Sequence, residues 1–251
     1  MNKITIEHLN LQYSDGTESL RDINLVVPAN AVSVFFGPAG SGKSSLLRCL
    51  NRLNDLAEIR TITGRILLDG ENILDPGTDT VALRRRVGMV FARPVVLPMT
   101  IRQNLTYGLE LAGEKRPSRL EEAVERGLNL AALWDEVSDR LDDPAVALSG
   151  GQQQRLCLAR VLAQQPEVIL LDEPTSGLDP ISTGKVESAL KDLKKDYTII
   201  LVPHSVQQAA RTADYAAFFL QGEVVEWAPG KQLFTAPRDR RTEDYVEGKF
   251  G

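Results

Sequence analysis

Residues 37 to 45 read GPAGSGKSS, between a mostly apolar run, VSVFF (32–36), and a stretch whose leucines, Leu46, Leu47, Leu50 and Leu53, recur on one helical face. A glycine-rich loop leaving a strand and opening a helix confines the chain to a few α/β folds. Its glycines let backbone N–H groups point into one concavity, and the helix N-terminus adds positive potential, so the loop suits phosphate. In the pattern G-x-x-x-x-G-K-[ST], the cradle is Gly37, Pro38, Ala39, Gly40, Ser41, Gly42 and Ser45. Lys43 then reaches the β/γ-phosphates and Ser44 is placed to ligate Mg²⁺.

A second apolar run, VILLDEP, ends in Asp172 and Glu173. Two carboxylates directly after a buried strand place charge at the carboxyl edge of a sheet, where ligands bind in open α/β folds. Beside a phosphate loop the first can hold Mg²⁺ through water, and the second can polarise an attacking water. A third stretch, LSGGQQQR (148–155), starts a helix with a serine cap and two glycines, which leaves N–H groups open to an anion.

The remaining chain fits around these motifs. ITIEHL and INLVV alternate as strands separated by turn residues and form an antiparallel β layer. GRILLDG (64–70) reads as a strand, followed by a short Arg-rich helix and a buried strand from Val87 to Phe91. Residues 100–165 hold three helical stretches and no strand, which suggests an inserted helical subdomain. From EVILLDEP onward the β/α alternation resumes, with a helix over about 180–195, the strand YTIILVP, a helix after His204, and the pair YAAFFL and EVVEWA. Such alternation implies an α/β fold with a mainly parallel sheet and helices on both faces. Arg84, Arg85 and Arg86 read first as a solvated helix face, with a subunit contact or an anionic partner as alternatives, and RDRRTEDYVEGKF as a surface helix packing on the domain or its twin.

The net charge of −5 and pI of about 5.3 argue against a general nucleic-acid binder, which needs a basic face. Two cysteines, Cys49 and Cys157, stand in no metal-ligand spacing and read as reduced, buried thiols. No apolar run approaches the roughly 18 residues of a membrane span, so a membrane role would come through a partner.

Together the phosphate loop, the Asp172-Glu173 pair and Leu148-Ser149-Gly150-Gly151-Gln152 resemble the ABC transporter ATPase family and its LSGGQ signature. The resemblance covers essentially the whole chain. It implies a P-loop NTPase core over 1–91 and 164–251, with 92–163 as the helical subdomain. Tyr13 matches an aromatic that stacks on adenine, Ser176-Gly177-Leu178-Asp179 a loop that crosses to a partner copy, and His204 a switch histidine that contacts the γ-phosphate. The implied cofactors are ATP and Mg²⁺. In a head-to-tail homodimer, ATP on Lys43, Ser44 and Asp172 of one copy would be closed by Ser149, Gly150 and Gly151 of the other, and Gln152 and Asp179 count among the nucleotide-binding residues. The implied partners are two transmembrane permease subunits and, through them, a solute-binding protein, with the chain peripheral at the cytoplasmic face of the inner membrane. Within the family, ISTGKVE, AALWDEV and TEDYVEGKFG are similar to the ATPases of bacterial phosphate importers.

Three positions depart from the family pattern. Ala92 stands where a glutamine ligates Mg²⁺ and senses the membrane subunit, Pro203 replaces a threonine before the switch histidine, and Ser205 replaces an asparagine after it. An ATPase for another solute, and a weakly hydrolysing regulatory switch, therefore remain as alternatives.

Overall fold

The computed structural model describes residues 1–249; Phe250 and Gly251, the end of the TEDYVEGKFG stretch, lie outside the described residues. The N-terminal half supplies β1 (Asn2–Tyr13), β2 (Glu18–Pro28), β3 (Val32–Phe36), α1 (Lys43–Leu50), β4 (Ile59–Leu68), β5 (Glu71–Asn72), α2 (Thr80–Arg86) and β6 (Val87–Val90). The helical segment follows as α3 (Ile101–Leu111), α4 (Pro117–Leu130), α5 (Trp134–Val137) and α6 (Gly150–Ala163). The remainder alternates β7 (Val168–Asp172), α7 (Pro180–Leu193), β8 (Thr198–Val202), α8 (Val206–Thr212), β9 (Tyr215–Leu220) and β10 (Glu223–Pro229), then α9 (Gly230–Thr235) and α10 (Arg240–Val246).

Two sheets result. One is antiparallel in the order β2-β1-β4-β5; the other runs β10-β9-β3-β8-β7-β6 and is parallel except for the β9/β10 hairpin. The parallel strands are mostly apolar because both faces of their sheet are covered. Their alternate residues feed two cores. Val34, Ile169, Leu171, Ile199 and Leu201 join the helical side, whereas Phe35, Leu170 and Ile200 join α1 and the antiparallel sheet. Helix α6 is buried on most of its circumference, as expected of a helix enclosed by neighbours. The core of the helical segment is continuous with the sheet, since Ile101, Leu105, Val124 and Leu128 cluster with Val34, Leu171 and Leu201.

Several details differ from the sequence reading. Strand β6 stops at Val90, and Phe91 is 38% exposed. Strand β4 begins at Ile59, five residues before GRILLDG, because its polar start pairs with the far end of β1, Tyr13 opposite Ile59. Of the three arginines only Arg85 is a solvated side chain. Arg84 donates to the carbonyls of Asn51 and Arg52, and Arg86 binds Glu167 and Asp69. Cys49 and Cys157 are free and buried, and burial pushes the Cys49 thiol up to about 12, which leaves it unreactive. Among the described residues no helix is long and apolar enough to cross a membrane.

Candidate nucleotide site

Parallel pairing of β3, β8, β7 and β6 sends four strand ends to one edge of the sheet. β3 ends in the glycine-rich loop, β8 in Pro203-His204, β7 in Asp172-Glu173 and β6 in Phe91-Ala92. The edge therefore gathers, from segments spread between Gly37 and His204, the groups that the motifs single out.

The loop's shape depends on glycine at two points. At Gly37 (φ +142°) an added Cβ would lie 2.0 Å from the Phe219 carbonyl oxygen, and at Gly42 (φ +97°) 2.4 Å from that of Ser19. Both positions combine a left-handed backbone with no room for a side chain. Helix α1 then starts at Lys43 with no side-chain cap, so its first N–H groups keep their capacity for an anion. The Lys43 ammonium lies over the loop and donates to the carbonyls of Gly37 (2.9 Å) and Pro38 (2.7 Å) and to Ser41 Oγ (3.2 Å). Burial pulls it below the ordinary lysine value, while the charges of Glu173 and Asp172 act in the opposite direction.

Across the edge, Ser44 Oγ donates to Asp172 Oδ1 at 2.9 Å. A hydroxyl and a carboxylate in contact at the mouth of a phosphate loop fit Mg²⁺, which takes one or two protein oxygens and completes its octahedron with water and phosphate. Among the described residues no group of three or more His, Cys, Asp or Glu side chains forms a metal cluster.

Glu173 adopts φ +48°, a left-handed conformation that costs a non-glycine residue about 1–3 kcal/mol and gathers at functional sites. The turn is clamped by Glu173 N–H to the Val202 carbonyl (2.9 Å) and by Ser176 N–H to the Glu173 carbonyl (3.0 Å). His204 Nδ1 stands 3.9 Å from Glu173 Oε2, and both side chains are open to solvent. A carboxylate and an imidazole so placed can orient and deprotonate a water between them and a phosphate.

Lys43, Glu173 and His204 line one cavity of about 290 Å³, whose wall is completed by Phe36, Pro203 and Tyr245 among others. Tyr245 is the contribution that sequence reasoning missed. It sits on α10 with its ring 5.0 Å from Phe218 and 6.1 Å from Phe36. The sequence suggests that this tail packs on the domain or its twin, but nothing local to Tyr245 marks it as a wall of this cavity. A larger cavity, about 530 Å³, lies beside Trp227 and Arg238. Its carboxylates are already engaged, Glu226 accepting from the N–H groups of Arg238 and Asp239, and Asp239 pairing with Arg241.

Other expected site residues lie apart from that cavity. Tyr13 hydrogen-bonds through its hydroxyl to Ser45 Oγ (3.1 Å), flanking the start of α1. Ser149 caps α6 in a reciprocal capping box with Gln152. Asp179 caps α7, accepting from the N–H groups of Ile181 and Ser182, and the Ser182 hydroxyl holds its carboxyl below the usual range. A Cβ at Gly151 would lie 2.4 Å from Ser182 Oγ, so glycine permits the starts of α6 and α7 to meet. Within one chain, residues 149–152 thus accompany the Asp179 loop rather than Lys43. Ser205, one of the three departures, caps α8 by accepting from Gln208 N–H (3.2 Å), and Pro203 lines the cavity.

Comparison with known proteins identifies the family. Residues 20–176 match the family described as ABC transporter. The chain is 52% identical over 248 residues to the phosphate import ATP-binding protein PstB 1 of Vibrio vulnificus, covering 99% of this chain and 91% of that protein. It is 51% identical to the counterpart from Vibrio parahaemolyticus, with the same coverage. Among solved structures it resembles cbiO1 from Clostridium perfringens, part of the ABC transporter complex cbiONQ, with a TM-score of 0.82 and 27% identity over 99% of this chain and 96% of that one. A bacterial Atm1-family ABC exporter with ATP bound matches with a TM-score of 0.81 and 25% identity over all of this chain and 42% of the exporter. A phosphate loop, carboxylate pair and histidine on one sheet edge, with a family match across more than half the sequence, establish that this chain belongs to the ABC transporter family as one of its ATP-binding subunits.

Proposed function

We propose that this chain is the ATP-hydrolysing subunit of an ABC importer for inorganic phosphate. It would act as a homodimer peripheral to the cytoplasmic face of the inner membrane, on two permease subunits served by a solute-binding protein. The observation that carries the reading is the Ser44–Asp172 contact, which draws the phosphate loop and the carboxylate pair into one site beside His204. The phosphate assignment draws on the relatives, which are 51–52% identical over nearly the whole chain and named for phosphate import.

Lys43 holds the β/γ-phosphates, exchanging the loop carbonyls for phosphate oxygens, and Tyr13 stacks on the adenine. Ser44 and Asp172 would hold Mg²⁺, which would supply positive charge to neutralise the phosphates. Glu173 takes the proton of the attacking water and His204 orients the γ-phosphate. Because residues 149–152 and Asp179 lie outside the cavity of their own chain, the second copy supplies Ser149, Gly150, Gly151, Gln152 and Asp179 to close the site. ATP then clamps the dimer and hydrolysis releases it, a two-state element that the permeases can read.

The test is Glu173→Gln, which keeps the side-chain shape and removes the base. We expect the variant to elute as a dimer on gel filtration with ATP and Mg²⁺ and to hydrolyse at a background rate. Elution only as a monomer refutes the clamp. The solute is assigned by phosphate uptake in vesicles carrying the permease subunits; uptake of another anion in its place moves the chain to a different importer.

A further inference from the structure

Gln208 on α8 belongs to none of the motifs, yet it joins two of the loops at the site. Its side chain is almost fully buried. Oε1 accepts from the backbone N–H of His204 at 2.9 Å, and Nε2 donates to Thr175 Oγ1 at 3.0 Å. The orientation of the amide is determined by chemistry, because a backbone N–H can only donate and must face the oxygen. The Thr175 hydroxyl, itself buried, approaches Oε1 at 3.2 Å and completes the set. Gln208 is in turn held by Ser205 Oγ on its N–H and by the Thr212 hydroxyl on its carbonyl.

The consequence lies in what it ties together. Thr175 stands two residues after Glu173 and four before Asp179. The His204 side chain is 61% exposed, so packing does little to place it, and its position follows its backbone. We infer that Gln208 is a positioning residue for hydrolysis: by bonding His204 N–H and Thr175 Oγ1 together, it sets the imidazole against Glu173 and passes the placement of the 176–179 loop to His204. This rests on the proposed roles of Glu173, His204 and the crossing loop. It adds a route by which seating of that loop on the second copy is registered at the histidine.

The experiment uses the full chain assembled with its permease subunits and follows steady-state ATP hydrolysis. Gln208→Met keeps length and loses both bonds. We expect kcat to fall about tenfold to a hundredfold, the scale of a catalytic group displaced by about 1 Å, with KM for ATP within about threefold of wild type. Gln208→Glu retains an acceptor for His204 N–H and a second oxygen for the Thr175 hydroxyl, so it restores kcat to within about threefold. Thr175→Val removes only the hydroxyl and gives an independent reading if Gln208→Met does not fold. Its kcat is expected to fall, and combining the two changes is expected to cost no more than Gln208→Met alone, since they break one chain of bonds. Unchanged kcat in both single variants, or losses that simply multiply, overturns the inference while leaving the ATPase reading intact. A wild-type complex that does not hydrolyse ATP overturns both.

Discussion

Replacing Glu136 with Gln tests how the start of the signature helix is held. Glu136 on α5 accepts from Arg155 Nη2 at 2.7 Å and Gln152 Nε2 at 3.0 Å, and it pairs with Lys185 of α7. Arg155 is the vulnerable partner. Its side chain is 3% exposed, and among the described residues its Nε and Nη1 have no hydrogen-bond partner. Glu136 is the counter-charge of that buried guanidinium. Breaking a buried pair by removing one partner costs about 3–5 kcal/mol. Because the Glu136 side chain is 26% exposed, solvent screens part of this, and we expect a loss of about 2–3 kcal/mol. For a chain of this length that lowers Tm by about 5–10 °C, measured by circular dichroism at pH 7. Replacing both residues, Glu136→Met with Arg155→Leu, is expected to recover most of the loss, since no charge remains buried. The pH dependence gives a second check. Burial raises the Glu136 carboxyl, but hydrogen bonds from Lys185 and Gln152 and the charge of Arg155 outweigh it, leaving the group below its ordinary 4.5. A lowered carboxylate contributes stability above its unfolded value and loses it as pH falls through the folded one, so the gap between wild type and variant must close in acid. A variant melting within about 1 °C of wild type at pH 7 refutes the reasoning and shows that Arg155 has no need of its carboxylate.

Further expectations concern separate parts of the chain. Ala92→Gln is expected to raise Mg²⁺ affinity or coupled turnover, measured by Mg²⁺ titration with the permease subunits present; no change in either shows that another group has replaced that side chain. Hydrogen bonding from Arg86, with help from Lys3 and against burial, holds the Glu167 carboxyl at about 2. Its contribution is therefore complete above about 4.5 and lost between there and about 2, so Glu167→Gln, costing about 1 kcal/mol for this part-exposed group, should differ from wild type in urea at pH 7 and converge with it at pH 2. Tyr245→Ala removes a ring packed on Phe36 and Phe218 and should cost about 1–2 kcal/mol together with a raised KM for ATP, because the same ring walls the Lys43 cavity; a stability loss with unchanged KM separates packing from the site.

What the sequence makes legible follows from the range of the interactions involved. The phosphate loop, the carboxylate pair and the caps at Ser149 and Asp179 are local patterns in which spacing carries the geometry, and the structure places them at strand ends and helix starts. Arg84 and Arg86 look like surface charge because their partners, Asn51, Arg52 and Glu167, are 32 to 81 residues away. Gln208 and Glu136 are hidden for the same reason: a glutamine or glutamate in a short polar helix has no signature until the fold supplies Thr175, His204 or Arg155. The early start of β4 escapes a hydrophobicity pattern because its first residues pair along a hairpin that extends past the core, leaving them exposed.

Ala92 now has a structural setting that narrows what its missing side chain changes. Val90 of β6 pairs with Leu171 of β7, so Ala92 and Glu173, each two residues further on, leave neighbouring strands on the same edge. A side chain at position 92 would therefore leave the same edge as Asp172, and if Ser44 and Asp172 hold Mg²⁺ as proposed, alanine would leave one more coordination position to water, which Mg²⁺ readily retains. The mechanical link at this point does not depend on that side chain. Gln154, on α6 and almost fully buried, donates through Nε2 to the carbonyl of Phe91 at 2.9 Å, tying the end of β6 to the helix that carries Ser149 at its cap. Movement of the strand end can thus reach α6 through backbone and amide even though Ala92 offers no metal ligand. Under the proposed metal site, alanine at this position would remove a link from the metal to the strand end while leaving the strand's hold on α6 intact, and turnover in the presence of the permeases should respond to Ala92→Gln more than nucleotide binding does.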